Sequence, residues 1–290
     1  MAPEAGDRLV DIKKCITYLG KTGDLVRVKT EVDPEFELAG IAKHYEGKKC
    51  ILFEKVKGKK FPVFMGLLWN REIIDDLFNT PKEKVPFSIG AAIGAWRKDK
   101  KALASRLFDK GPANEVILTK DFNLYDLPGS VHALKDGGPY FDSSVVVVND
   151  PEAGIPNISI HRLMITGKNR LSFLIDPDRH LGAYLDHMKK KGQPMEVTIN
   201  NGIGLAPWLV SAIPGQGPGK TNIANHIIGR PIDFIKAQTG KVPAYADAQF
   251  VIEAEILPKV REPEGPFAEV TGYYAQKDNR WVMKVKAITH

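Results

Sequence analysis

The chain has 290 residues, of which 43% are hydrophobic and 26% charged, with a formal net charge of +6. This is the composition of an ordinary globular protein with one large or two moderate domains, and it sets aside low-complexity and repeat architectures. No stretch approaches a membrane span and MAPEAGDRLVDIKK has no apolar core of signal-peptide type, so a cytoplasmic protein without membrane or nucleic-acid partners is expected.

Residues 7–20 place Leu9, Ile12, Ile16 and Leu19 on one face and predict a helix. Alternation in DLVRVKTEV predicts a strand, Pro34 to about Tyr45 a helix, and KCILFEKV and FPVFMGLLW two strands around the turn KGKK. The block from Asn70 to Gly111 reads as mainly helical and ends in the loop KGPANE. Residues 1–111 are therefore expected to form a small α/β domain.

From Glu115 the texture changes. EVILT, SSVVVVND, NISIHRLMIT, RLSFLID, MEVTINNG, QFVIEAEILPKV, AEVTGYYAQ and RWVMKVKAIT are strand-like and punctuated by Gly, Pro, Asp and Asn. Many short strands with few helices predict a β-barrel with helical insertions over residues 112–290, and an α+β protein overall. The clusters RKDKK (97–101) and KKK (189–191) lie in helical surroundings without interleaved aromatics, as solvated faces do. A modestly basic chain still favours an anionic small molecule. Cys15 and Cys50 lack metal-type spacing and read as reduced thiols.

PGQGPGKTN (214–222) looks like a phosphate-binding loop, but Pro214 stands where the first glycine of a Walker A loop belongs. Counting from Gly215 leaves the loop one residue short, and LAPWLVSAI before it is not clearly a buried parallel strand.

Three constellations could carry chemistry. On a strand through NISIHRLMI, Asn157, Ser159 and His161 share one face while Ile158, Ile160, Arg162 and Met164 share the other. Arg162 then either meets carboxylates or snorkels to water from the strand end. In REPEGPFAEVTGYY, Gly265 and Pro266 must turn the chain between Glu264 and Glu269. That turn either aims both acids into one pocket, where their proton affinities would be driven apart, or forms an exposed acidic loop. In DPDRHLGAYLDHMKKKG, Asp178 can cap a helix whose inner face is Leu181, Tyr184, Leu185 and Met188. His180, in the first turn, is a metal ligand, an anion contact or a structural residue, and His187 is a surface residue.

Taken in order, DGGPYFDSSVVVVNDPEAGIPNISIHR, IDPDRH and PEGPFAEVTGYY resemble the UbiD family of reversible decarboxylases, and the similarity runs along essentially the whole chain. The resemblance implies a split β-barrel of flavin-reductase type that binds prenylated FMN, delivered by a flavin prenyltransferase. It implies removal or addition of CO2 on aromatic or α,β-unsaturated carboxylic acids. Arg162, Glu264 and Glu269 match the catalytic arginine and glutamates: Arg162 holds the substrate carboxylate, Glu264 anchors Arg162, and Glu269 protonates the product. Asn157 matches the residue between metal and cofactor phosphate, and His180 the metal-ligand histidine, for a divalent ion such as Mn²⁺ or Mg²⁺ with K⁺ beside it. Ser159, Ile160, Arg162, Ala212, Ile213 and Pro214 fall where the family lines its flavin.

Two departures stand out. Lys220 falls where a glutamate completes the family's metal site, and no acid occurs between Pro214 and His226. An ammonium cannot coordinate Mg²⁺ or Mn²⁺, so Lys220 is expected to pair with the flavin phosphate in the metal's place. The chain also stops about where the family's barrel ends, short of the family's C-terminal domain: either the chain is truncated, or that part is a separate subunit, or this is a short divergent member, and a separate C-terminal subunit or a homo-oligomer is the expected partner. A non-catalytic flavin-binding or assembly subunit is the alternative function.

Overall fold

The computed structural model describes residues 4–217 and 219–290. The predicted first helix is two: α1 (Ala5–Val10) and α2 (Ile12–Thr22), separated at Asp11. Asp11 is extended (φ −103°, ψ 115°), and its carboxylate accepts from the Lys13 and Lys14 backbone N–H groups. The apolar periodicity runs through this break because a capping Asp restarts the next helix in phase.

A small parallel-and-antiparallel sheet follows. β1 (Leu25–Val32) and β2 (Cys50–Val56) run parallel across α3 (Glu37–Tyr45), and β3 (Val63–Met65) adds antiparallel to β2. Then come α4 (Arg71–Leu77), capped by the Asn70 side chain, and α5 (Val85–Lys98). The expectation of helix through KKALASRLFDKG fails: Arg106–Phe108 is a strand, β4, which pairs parallel with a later segment. Helix propensity in that run is overridden by tertiary pairing.

The second half is built on a closed barrel. After the short β5 (Ile117–Leu118), it uses β6 (Tyr140–Asn149), β7 (Pro156–Gly167), β8 (Arg170–Phe173) and, beyond α6 (His180–Lys190), β9 (Met195–Asn201). α7 (Leu205–Ala212), α8 (Thr221–Ile228), β10 (Asp233–Ile235) and β11 (Ala244–Tyr245) form an excursion in which β10 pairs with β4. β12 (Phe250–Glu264), the minimal hairpin β13 (Phe267–Ala268) and β14 (Tyr274–Ala275), and β15 (Asp278–Thr289) complete the chain. Strand order β12-β9-β6-β7-β8-β15, with β15 returning to β12, closes six strands into a barrel. The predicted strand AEVTGYYAQ is thus mostly hairpin turn.

Register assigns the two faces of every barrel strand. Val146, Val148, Leu163, Ile165, Ile199, Ile252 and Met283 belong to one cluster drawn from several strands, the barrel interior. Val145, Val147 and Ile158 point outward into a second cluster with α1, α2, α5, α7 and α8. The N-terminal helices therefore share a core with the barrel's outer helices, whereas β1, β2 and α3 enclose a smaller one. No helix among the described residues is long and apolar enough to cross a membrane.

Candidate active site

The alternation predicted for β7 is realised. Ser159 lies opposite Val146 and Asn157 opposite Val148, on the inner face, whereas Ile158 and Ile160 lie opposite Val147 and Val145, facing out. Arg162 therefore projects from the outer face, and it meets carboxylates rather than solvent. Its Nε donates to Glu264 Oε1 at 3.0 Å, its Nη2 to Glu264 Oε2 at 3.3 Å, and its Nη1 to Glu269. The Phe267 ring covers the guanidinium, 4.8 Å from Cζ to centroid. Burial alone would disfavour the Arg162 charge, but the two carboxylates outweigh it and raise its proton affinity.

The turn between the glutamates makes this convergence. Gly265 has φ +88°, a conformation open to glycine, and the Gly265–Pro266 peptide is cis. Glu264, at the end of β12, is wholly buried, whereas the Glu269 side chain is 38% exposed. One acid is locked away from water and the other reaches it.

Tyr140, which sequence reasoning left unassigned, completes the arrangement. Its hydroxyl donates to Glu264 Oε1 at 3.1 Å and accepts from Gly265 N at 3.1 Å. Burial and the neighbouring Glu264 charge hold the phenol well above its usual range, so it stays protonated as a donor. The loop before β6 clasps the same turn: Gly137 N donates to Pro266 O at 2.8 Å, and Ala268 N donates to Asp136 Oδ1 at 2.9 Å. A Cβ on Gly137 would stand 2.3 Å from the Gly265 oxygen, so only glycine permits this approach. The signal was present in GGPYFD, but nothing local says what it touches.

A second group lies at the start of β7. Asn157 is buried; its Oδ1 accepts from Ile158 N, and its Nδ2 donates to Tyr184 Oη at 3.4 Å. Tyr184 also bonds Asp150, and burial together with that carboxylate raises the phenol's proton affinity. Burial opposes the Asp150 charge, yet backbone N–H groups of Ala153 and Glu152 with Tyr184 hold its carboxyl low. His180 is exposed and stacks on the Tyr184 ring at 6.4 Å. Asp178 does not cap α6: Arg179 holds the cap position, without a side-chain bond. His187, expected at the surface, is half-buried, with an Nε2 lacking a partner.

The glycine-rich segment joins α7 to α8, so a helix and not a strand precedes it. Gly215, Gly217 and Gly219 all adopt positive φ (71°, 72° and 82°), and Pro218 lies outside the described residues. Gly219 N donates to Pro156 O at 3.0 Å, fastening the segment beside Asn157. Lys220 is 5% exposed, and its ammonium donates to the Ser211 and Ile213 carbonyls at 3.2 and 3.0 Å. Burial pushes its pKa down to about 8.

The structure thus gathers Asn157, Ala212, Ile213, Pro214 and Lys220 at one end of β7, and Arg162, Glu264 and Glu269 further along it. Ser159 turns inward and bonds His161 Nε2 at 2.8 Å, so it does not share the outer face with Ile160 and Arg162. A cleft of about 780 Å³ between β3 and the barrel mouth includes Tyr140 in its wall but neither Arg162 nor Lys220.

Comparison with known proteins bears on this geometry. Residues 16–93 match the 3-octaprenyl-4-hydroxybenzoate carboxy-lyase N-terminal domain, and residues 106–290 match the Rift-related domain of the same enzyme class. An uncharacterized protein in the cooM 5′ region of Rhodospirillum rubrum is 42% identical over 285 residues, 97% of this chain and 61% of its own length. The anhydromevalonate phosphate decarboxylase of Methanosarcina mazei is 33% identical over 280 residues, 95% of this chain and 61% of its own length. An evolved dimeric form of the UbiD-class enzyme HmfF from Pelotomaculum thermopropionicum, in complex with prFMN, superposes with a TM-score of 0.90 at 35% identity, covering 97% of this chain and 65% of that one. The chain spans between 49% and 63% of the length of the curated relatives compared with it. With both domain types matched in order along one chain, this protein belongs to the UbiD family.

Proposed function

We propose that this protein acts in the reversible decarboxylation of an aromatic or α,β-unsaturated carboxylic acid, with prenylated FMN as cofactor. The observation that carries this reading is the division of labour between two glutamates on one arginine. The decarboxylase relatives and the prFMN-bound neighbour support it.

Prenylated FMN supplies, when bound, the electron sink that a bare carboxylate lacks. The chain's own residues do the rest. Arg162 offers its guanidinium to the substrate carboxylate, for which a planar, permanently charged donor is suited. Glu264, wholly buried and bonded to Nε and Nη2, fixes the orientation of that guanidinium. Glu269, 38% exposed, delivers the proton that takes the place of the departing CO2 on carbon, and recovers a proton from solvent. Ile160 on the outer face, Ala212 at the end of α7, and Ile213 and Pro214 after it line the flavin, with Asn157 and Lys220 toward its phosphate. About five residues of strand, roughly 16 Å, separate Asn157 from Arg162, which suits an elongated cofactor laid along β7.

Leu134, Val270 and Tyr273 are 85%, 102% and 77% exposed around the hairpin that carries Glu269. Such an apolar rim favours a further polypeptide closing the site, as a separate subunit or a second copy.

The test is CO2 release from a panel of aromatic and α,β-unsaturated acids by protein loaded with prenylated FMN, with Glu269→Gln lowering the rate by about 10²- to 10⁴-fold. Loaded protein that turns over no acid, alone or with partner chains, would leave only the flavin-binding assembly role.

A further inference from the structure

Divalent cations of the Mg²⁺ and Mn²⁺ type require carboxylate, carbonyl or water oxygens in a compact shell. The Asn157 end of β7 does not offer one. Among the described residues no group of three His, Cys, Asp or Glu side chains could hold a metal. The Asn157 Oδ1 accepts from the backbone and Asp150 Oδ1 accepts from two backbone N–H groups. His180 stands exposed against the Tyr184 ring. The cation beside this end of the strand is Lys220, and a second positive charge next to it would be repelled.

Lys220 is also a buried cation without a carboxylate among the described residues, its polar partners being two carbonyls at the C-terminal end of α7. A desolvated ammonium in that state is costly and is relieved by an anion. The surroundings are built for one. Gly215, Gly217 and Gly219 adopt left-handed conformations ahead of α8, whose eight residues, Thr221–Ile228, carry a positive partial charge at their N-terminus. Gly219 ties the loop to the strand at Pro156.

Resting on the flavin reading above, we infer that this protein anchors the cofactor phosphate with the Lys220 ammonium itself and uses no divalent metal there. The ammonium gains a charge-assisted hydrogen bond to a phosphate oxygen and keeps its two carbonyl bonds as tethers.

The experiment titrates the full chain with FMN and with riboflavin, by flavin fluorescence quenching, with excess EDTA and then with added Mn²⁺. FMN affinity indifferent to EDTA and Mn²⁺, and well above riboflavin affinity, is the expected result. Lys220→Met, which preserves the buried stem, lowers FMN affinity about 10- to 100-fold while leaving riboflavin affinity unchanged. FMN binding that collapses in EDTA and returns with Mn²⁺ overturns the inference alone. Failure of the wild-type chain to bind either flavin overturns the cofactor reading and the inference with it. Should Lys220→Met unfold, judged by circular dichroism, the EDTA comparison on wild-type protein still decides.

Discussion

Arg162 and Glu264, 102 residues apart in sequence, face each other through two hydrogen bonds of 3.0 and 3.3 Å, with the Glu264 carboxylate wholly out of solvent. Glu269 touches the same guanidinium from the solvent side. The asymmetry predicts different consequences for two superficially equal substitutions. Glu264→Gln leaves Arg162 short of a buried counter-charge and destabilises the fold by about 3 kcal/mol, visible as an earlier urea midpoint. Glu269→Gln leaves the midpoint near that of wild type and removes turnover instead. Equal stability losses in the two variants would contradict this assignment.

The Tyr140 hydroxyl serves Glu264 and the Gly265 N–H at once. Tyr140→Phe strands both and costs about 1–3 kcal/mol. Gly137→Ala drives a methyl toward the Gly265 oxygen and costs a similar amount by overpacking. Both variants should lose turnover through displacement of Glu264, read as a lowered kcat. Wild-type kcat in Gly137→Ala would show that the clasp does not position the site.

His161 gives the fold a defined acid sensitivity. Burial lowers its pKa from 6.5 to about 4, and the neutral ring is held by Ser159 and the Leu174 backbone. The unfolded chain therefore binds a proton at His161 before the native state does. Stability from the neutral ring is complete above pH 6.5 and is lost as pH falls through about 4, to a total of about 3 kcal/mol. His161→Gln should flatten the difference in urea stability across that window. An unchanged pH dependence in the variant would place the sensitivity elsewhere.

Cys15 and Cys50 are unpaired, fully buried and in one core, with both thiols pushed up to about 12 by burial. Neither has the thiolate character that reagents attack. Native protein should react with a disulfide-exchange reagent only as fast as its core opens, and fully only in denaturant. Rapid stoichiometric labelling of the native chain would contradict the burial of both.

What could be read ahead of the structure was what strand period and turn chemistry determine locally. Alternation placed Arg162 opposite Ser159, and the Gly265–Pro266 turn made convergence of Glu264 and Glu269 an open alternative. The break at Asp11 was hidden by an apolar period that continues across it. Arg106–Phe108 sat in a run of good helix formers, and the pairing with Asp233–Ile235 that makes it a strand is remote in sequence. Tyr140 escaped for the same reason, since its partner Glu264 lies 124 residues away. Asp150 and Tyr184 meet only because the turn after β6 and helix α6 are brought together by the fold.

The most direct measurement is native mass spectrometry of the chain co-produced with a flavin prenyltransferase, reading bound flavin and metal together. One prenylated FMN per chain and no divalent metal is the expected result. A chain that emerges without flavin, or with flavin only when Mn²⁺ or Mg²⁺ accompanies it, would contradict it.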